Sequence, residues 1–544
     1  MQNSSNKSYN PPVWEAVLDQ ERSFWLESLN RAQHGTSVIV APSHGLNSAI
    51  QATESLMAVG LTLRGARVHV TLCDGSLPAC LMSHIDSIPE QEFVTQGPQR
   101  LCKLCFDPAA RVYQSLGLPL LCYGEFLSKT ERLRACELAA EVPYEDLSTF
   151  TLDGLAVGEH AVAGALRYFA RGTLDGEAYG EAVLRRFFHA SLLTTFAVRN
   201  MIDAVRPSVA AFNHGIYVPQ GLIGECCRQK DVRVVNWNPS YRKKTFIFSH
   251  GDTYHHTLLA EPLSNWEEIE LTPRRESLIL DYLNSRRTGS QDWIWFHERP
   301  EERLDAILSD LKVDSSKPVI VMLTNVMWDA QLHFRANAFS NMLEWTLETI
   351  RYFENRSDLQ LVIRVHPAEI RGTLPSRQPL VSEISKIYQR LPANIHVIPP
   401  ESQISTYSVI ELGNAVIIYG TKTGVEIASM GIPVIVAGEA WIRNKGLTWD
   451  ASSRQEYFEI LDRLPFEDRM RPEVTQRARK YAYHFFFRRM IPVKCVEPDS
   501  SKLFQLNVHS FSDIVRGADP GFDAICDGIL SGSEFIYPAE RYDS

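Results

Sequence analysis

Short continuous apolar runs alternate with segments of helical periodicity along most of this chain. Ser37–Ala41, Val68–Leu72, Leu118–Tyr123, Val209–Asn213, Val232–Trp237 and Thr245–Ser249 are of strand length. Strands apolar on both faces belong to a mainly parallel sheet covered by helices on either side. Between them, Gln51–Leu63 and a long region from Gly158 to Val205 are apolar-periodic, and Trp14–Leu29 predicts an amphipathic helix ahead of the first strand. A second set follows at Pro318–Leu323, Leu359–Val365, Ile395–Ile398, Ala415–Tyr419 and Pro433–Ala437. Within it, Phe339, Met342, Leu343, Thr346, Leu347, Ile350 and Phe353 share one face of a helix predicted over Phe339–Phe353. A last helix is predicted from Pro472 to Arg488, leading to a tail rich in Asp, Gly and Ser with no clear strand.

At 544 residues the chain exceeds one ordinary hydrophobic core, so two α/β domains are expected. The pattern divides it into a helical extension (1–35), a first α/β domain with a helical insertion (36–270), a charged connection (271–317), a second α/β domain (318–470), and a C-terminal helix and tail (471–544). The connection carries Arg274-Arg275, Arg286-Arg287 and Pro300-Glu-Glu-Arg303 and lacks strand character. Fifty-five Lys and Arg against 65 Asp and Glu leave a net charge of −10, which argues against nucleic acid as the main partner. No run approaches the roughly 18–20 apolar residues that span a bilayer. The opening MQNSSNKSYNPP has no apolar signal-peptide core. A cytoplasmic chain with reduced cysteines is therefore expected.

Two strand ends carry the most chemistry. Leu361-Val-Ile-Arg-Val-His-Pro367 exits through Arg364 and His366, and Tyr419-Gly-Thr-Lys-Thr-Gly-Val-Glu426 exits through a small, hydroxyl-rich turn into a helix. Such turns present free backbone N–H groups to anions, and His366 and Arg364 would add donors from a neighbouring strand. Taken singly, His366-Pro367 ends a strand and Gly424 lets a helix start close to the sheet. Both in one half of the chain point to a phosphorylated ligand, with Thr421, Thr423 and Gly424 around it. Glu426 would accept from ribose hydroxyls or complement the helix start. Asn325 and Asp329, after the second domain's first strand, are placed to touch a donor sugar, while Trp328 reads as packing.

RVHPAE, YGTKTGVEIASMGIPVIVAGEAWIRNKG and TNVMWDA together resemble the capsule-polysaccharide-biosynthesis group of glycosyltransferases. The resemblance is strongest over Pro318–Gly446 and weaker from Ser37 to Asn213. It implies a GT-B fold: two Rossmann-like domains facing a crevice, with a C-terminal helix crossing back. It further implies a nucleotide-sugar donor on the second domain, cytidine-linked by preference, and a glycan or lipid-linked acceptor on the first. The Thr-Lys-Thr-Gly turn departs from the serine pair of related transferases, and Lys422 either adds charge or points to solvent. The resemblance also implies catalysis without a metal cofactor.

Cys73, Cys80, Cys102 and Cys105 are a candidate structural zinc set, since Cys102-Lys-Leu-Cys105 has knuckle spacing and four thiolates complete a tetrahedron. The alternative is four separate buried thiols. The remaining cysteines, including Cys226-Cys227, read as core. For a base, His44 and His214 each follow an apolar strand and precede glycine, with Asp74 and His250 next. His255-His256 reads as structural or exposed. Tyr483–Arg489 reads as a packed helix, with an interfacial patch giving peripheral membrane association as its rival. Rival functions are a sugar-nucleotide epimerase on the same fold and a non-catalytic glycan-binding protein.

Overall fold

Runs apolar on both faces end up buried on both faces. The computed structural model describes residues 14–293, 300–303, 309, 311–314, 316–330, 332, 337–499 and 504–542. The polar start before Trp14, part of the 271–317 connection and the extreme C-terminus lie outside the described residues.

The first sheet is built from β1 (Ser37–Ser43), β2 (Arg67–Leu72), β3 (Leu120–Cys122), β4 (Val209–Asn213), β5 (Arg233–Pro239) and β6 (Thr245–His250). The second uses β7 (Val319–Leu323), β8 (Gln360–Arg364), β9 (Ile395–Ile398), β10 (Gly413–Ile418), β11 (Val434–Val436) and the short β12 (Trp449–Asp450). Its order is β12-β11-β10-β7-β8-β9, parallel throughout. The first sheet repeats that winding as β3-β2-β1-β4-β5, then adds β6 antiparallel to β5. Both are Rossmann-like, and in each the winding reverses between the first and fourth strands. Ligands of such sheets bind outside the strand carboxyl ends at that reversal.

The tail contributes more than was expected. Ile491–Pro492 (β13) pairs with β6 and closes the first sheet's edge, and Val496–Pro498 (β14) forms a hairpin with Phe504–Leu506 (β15). Strands of two or three residues leave no period to read in a sequence. The helix Pro520–Ser531 then lies on the helix Ser48–Leu63. Gly60 permits that approach: a Cβ there would sit 2.3 Å from the Phe522 ring. Trp14, Trp25, Phe511, Phe522 and Ile525 join one core under this face.

Three other elements position the crevice. The helix read over Phe339–Phe353 begins at Met342, because Asn341 is extended and caps Glu344 N. The insertion is two helices, Val157–Phe169 and Gly180–Val205, broken where Ala170 turns left-handed (φ +52°). Their connecting loop reaches the second domain: Arg377 N donates to Ala170 O (2.9 Å), and Gln378 Oε1 accepts from Gly172 N (3.0 Å) and Thr173 N (3.2 Å). The helix Pro472–Tyr483 lies against the helix Thr423–Ser429, then continues as a π-helical turn, His484–Arg489, back to the first domain. His484, Phe485 and Phe486 are fully buried there, so this segment is packing and not an interfacial patch. Among the described residues no helix is long and apolar enough to cross a membrane.

Candidate functional site

A parallel sheet delivers whatever follows its strands to one edge. Here β7, β8 and β10 are neighbours, with Leu323 beside both Arg364 and Ile418. The loops after them line a crevice of about 460 Å³. Asn325, Asp329, Arg364, His366, Thr421 and Thr423 all reach its wall.

His366 is held as a directed donor. Its backbone N–H donates to Thr324 Oγ1 (3.2 Å), and Ala368 N–H donates to its Nδ1 (3.1 Å). An Nδ1 that accepts leaves the proton of the neutral ring on Nε2. Across the winding reversal, Asn325 Nδ2 donates to Gly420 O (2.5 Å), tying the β7 loop to the β10 loop. Among the described residues its buried Oδ1 has no donor, which makes it available to a ligand. The threonine turn is preformed: Thr421 Oγ1 donates to Thr423 Oγ1 (3.2 Å) and accepts from Thr423 N (3.3 Å). The helix it opens has only seven residues, so local N–H groups and hydroxyls matter more here than a long helix dipole.

Three expected ligand contacts have other duties. Arg364 is 2% exposed and spends its donors on Pro399 O (2.6 Å), Ser402 O (3.2 Å) and Thr406 Oγ1 (3.4 Å). Burial and the neighbouring Arg371 lower its pKa to about 10. It therefore shapes the 399–406 loop at the crevice rim. Gly424 is a packing residue, since a Cβ there would lie 2.6 Å from Ile418 Cδ1 and 3.0 Å from Ile442 Cγ2. Glu426 is 1% exposed and does not reach the crevice. Its carboxylate pairs with Arg286 Nε (2.9 Å) and Lys422 Nζ (2.8 Å) and accepts from Tyr407 OH (2.5 Å). Burial raises its pKa, but Arg286 and Lys422 outweigh that and hold it at about 2. Lys422 thus turns inward, its ammonium 4.5 Å from the Tyr241 ring centre. Arg286 follows the helix Pro273–Ser285, which occupies part of the charged connection and is capped by Thr272.

On the first domain, His44 and His214 flank the winding reversal between β1 and β4, yet neither lines the crevice. His44 is 4% exposed, with both ring nitrogens enclosed. Burial and Arg167 lower each of these rings to about 4. His214 is left-handed (φ +66°), and its ring lies 4.9 Å from Tyr217 and 6.2 Å from His255. Asp74 accepts from Ser76 N in its own loop and from Gly124 N in the turn after β3. His250 binds Ser533 O (2.9 Å) under the tail. The residue that does reach the crevice is His255, read from sequence as structural: a one-turn helix, Tyr254–Thr257, directs it against Trp441. Tyr241, Arg286, Glu439 and Trp441 also line the wall and were also missed. Trp441 and Glu439 had a sequence signal, since both follow β11 as the other wall residues follow their strands.

The two domains touch through this wall. Tyr217 OH donates to Asp329 Oδ1 (3.1 Å) and accepts from Ala330 N (2.8 Å). Trp328 packs with Ala170 and Leu374, as its packing role requires.

Cys73, Cys80, Cys102 and Cys105 are near enough to perturb one another. Burial, and then neighbouring thiols, push Cys73 and Cys80 up to about 12 and Cys102 to about 11. Cys105 Sγ accepts from Gly45 N (3.0 Å). Among the described residues no group of three or more His, Cys, Asp or Glu side chains is arranged to hold a metal ion. Cys226 and Cys227 are buried, as core residues.

No curated protein matches the chain in sequence. Among solved structures, the beta Kdo 2,4 transferase of Thermosulfurimonas dismutans KpsC is 12% identical, covering 50% of this chain and 79% of its own, with TM-score 0.31. The UDP-GlcNAc 2-epimerase from Neisseria meningitidis bound to UDP-GlcNAc is 9% identical, covering 82% of this chain and 95% of its own, with TM-score 0.22. Overlaps of this size carry no argument about chemistry. The family model described as capsule polysaccharide biosynthesis protein matches residues 297–471. Those residues hold the strand ends and turns that build the second-domain side of the crevice, and over them the chain matches the capsule polysaccharide biosynthesis family, as its His-Pro and Thr-Lys-Thr-Gly motifs imply.

Proposed function

We propose that this protein is a glycosyltransferase that moves a sugar from a nucleotide-linked donor, cytidine-linked by preference, to a surface or capsular glycan acceptor. The observation that carries the reading is the convergence of His366, Asn325 and the Thr421–Thr423 turn on one crevice at the second sheet's winding reversal, inside the family segment. A ring donor, threonine hydroxyls and turn N–H groups suit a phosphate, and the buried amide oxygen of Asn325 suits a base or sugar hydroxyl. Catalysis would rest on side chains lining the crevice, without a metal, and the acceptor would approach from the first domain. A structural zinc on Cys73, Cys80, Cys102 and Cys105 is separate from this reading, because none of them lines the crevice. Zinc content of protein purified without added metal measures it.

Calorimetric titration with CMP, CDP, UDP and GDP tests the donor site. At least one nucleotide should bind, and His366→Ala and Thr423→Ala should each weaken it roughly tenfold or more, the size of one hydrogen bond to a charged group. Both side chains are partly exposed at the wall, so the fold should survive. Unchanged affinity in both variants would remove the phosphate from this turn.

A further inference from the structure

Direct displacement at an anomeric carbon is assisted by a group on the acceptor side that receives the attacking hydroxyl's proton. Among the described residues lining the crevice, only Tyr241 and His255 come from the first domain. Tyr241 is unsuited to accept it. Its ring lies beneath Lys422 Nζ (4.5 Å) and the Arg286 guanidinium (6.0 Å), and burial keeps its hydroxyl protonated.

His255 meets the requirement. Its ring is wedged 4.3 Å from Tyr254, 5.7 Å from Trp441 of the second domain and 6.2 Å from His214 behind it. That packing restricts the ring while leaving it partly exposed on the crevice. Burial, and then His214, hold it unprotonated, with a pKa near 3. Asp329 pulls the other way, and a bound nucleotide would add negative charge, so ligand binding shifts the ring toward greater basicity. Asp329 is itself steadied by the Tyr217 hydroxyl.

We propose that His255 is the catalytic residue on the acceptor side, which takes the proton of the attacking hydroxyl. The proposal rests on reading the crevice as a glycosyl-transfer site. The acceptor oxygen forms a bond to the anomeric carbon of the donor sugar as that carbon's bond to the phosphate oxygen breaks. The bonding electron pair leaves with the nucleotide, and the hydroxyl proton passes to the imidazole. Asp329 stabilises the imidazolium, and His214 acts as a positioning residue beneath the ring.

The test uses the full chain with CMP-, UDP- and GDP-linked sugars and water as acceptor, following nucleotide release by chromatography and nucleotide affinity by calorimetry. His255→Gln and His255→Ala should lower release by about 10²- to 10⁴-fold, the usual size of general-base assistance, with nucleotide affinity unchanged. Retained affinity also shows that the variants are folded. His214→Asn, which suits a left-handed backbone, should lower release less. Full release in both His255 variants overturns the proposal, as does a loss of affinity that accounts for the loss of rate. Wild-type protein that binds a nucleotide but releases none from any donor overturns the proposal alone. Wild-type protein that binds no nucleotide overturns the glycosyltransferase reading and the proposal with it.

Discussion

Replacing Glu426 by alanine should cost about 3 kcal/mol of stability, read as a lowered urea midpoint with an unchanged slope. The carboxylate is 1% exposed and serves Arg286, Lys422 and Tyr407 together. Removing it leaves two buried cations with less compensation, and breaking a buried pair from one side costs about 3–5 kcal/mol. Two features place the loss at the lower end. Arg286 keeps its pairing with Asp292. Lys422, whose pKa burial and Arg286 already lower, can shed its proton. Glu426→Gln, which can still accept from Tyr407, should lose less. Combining it with Lys422→Met, which leaves the Arg286–Asp292 pair intact, should recover part of the loss, because one stranded charge is then gone. A midpoint for Glu426→Ala equal to wild type would show that the cluster contributes little.

Acid should expose the second large effect through His44. Its pKa is about 4 in the folded chain, against an ordinary value of 6.5. Between those values the unfolded state binds the extra proton, so stability rises with pH across the window and levels off above about 6.5. Lowering pH from 6.5 to 4 should remove roughly 1.4 kcal/mol per pH unit through this ring, about 3 kcal/mol in all. Glu369, pushed up to about 7 by burial, acts in the opposite direction above pH 4.5. Glu426, held near 2, loses its contribution only below 4.5. The difference between wild type and His44→Gln isolates the ring. Unfolding free energy of the variant should fall less steeply between pH 6.5 and 4, and parallel curves would mean that His44 is not a buried neutral imidazole.

Much of the crevice wall on the second domain was legible in the sequence. A parallel sheet puts the residues after each strand on one edge, so His366, Asn325 and Thr421–Thr423 could be grouped from apolar runs alone. What could not be read was whether a donor or acceptor was already occupied. Arg364 spends its guanidinium on carbonyls after β9, and Glu426 is claimed by an arginine of the connection. Such partners lie far apart in sequence and leave no spacing signal. His255 was misread for a related reason: its route to the crevice depends on Trp441, which the second domain supplies. His44 and His214 were correctly seen to follow strands, but following a strand does not establish access to the crevice. Short tail strands escaped because two or three residues carry no periodicity.

The covering of the first sheet by the tail has a consequence for how the chain is made. Val38, Val70 and Leu72 share a core with Phe511, Phe522, Ile525 and Phe535. A ribosome adding about 5–20 residues per second reaches Phe535 roughly 20 to 90 seconds after Leu72. Throughout that interval, one apolar face of the nascent first domain lacks its permanent cover while the entire second domain is being synthesised. Vectorial folding, in which each domain is completed before the next emerges, is therefore closed to this protein. Its first domain begins earliest and is finished last, so a chaperone that shields apolar surface would act on the nascent chain at the face of Ser48–Leu63.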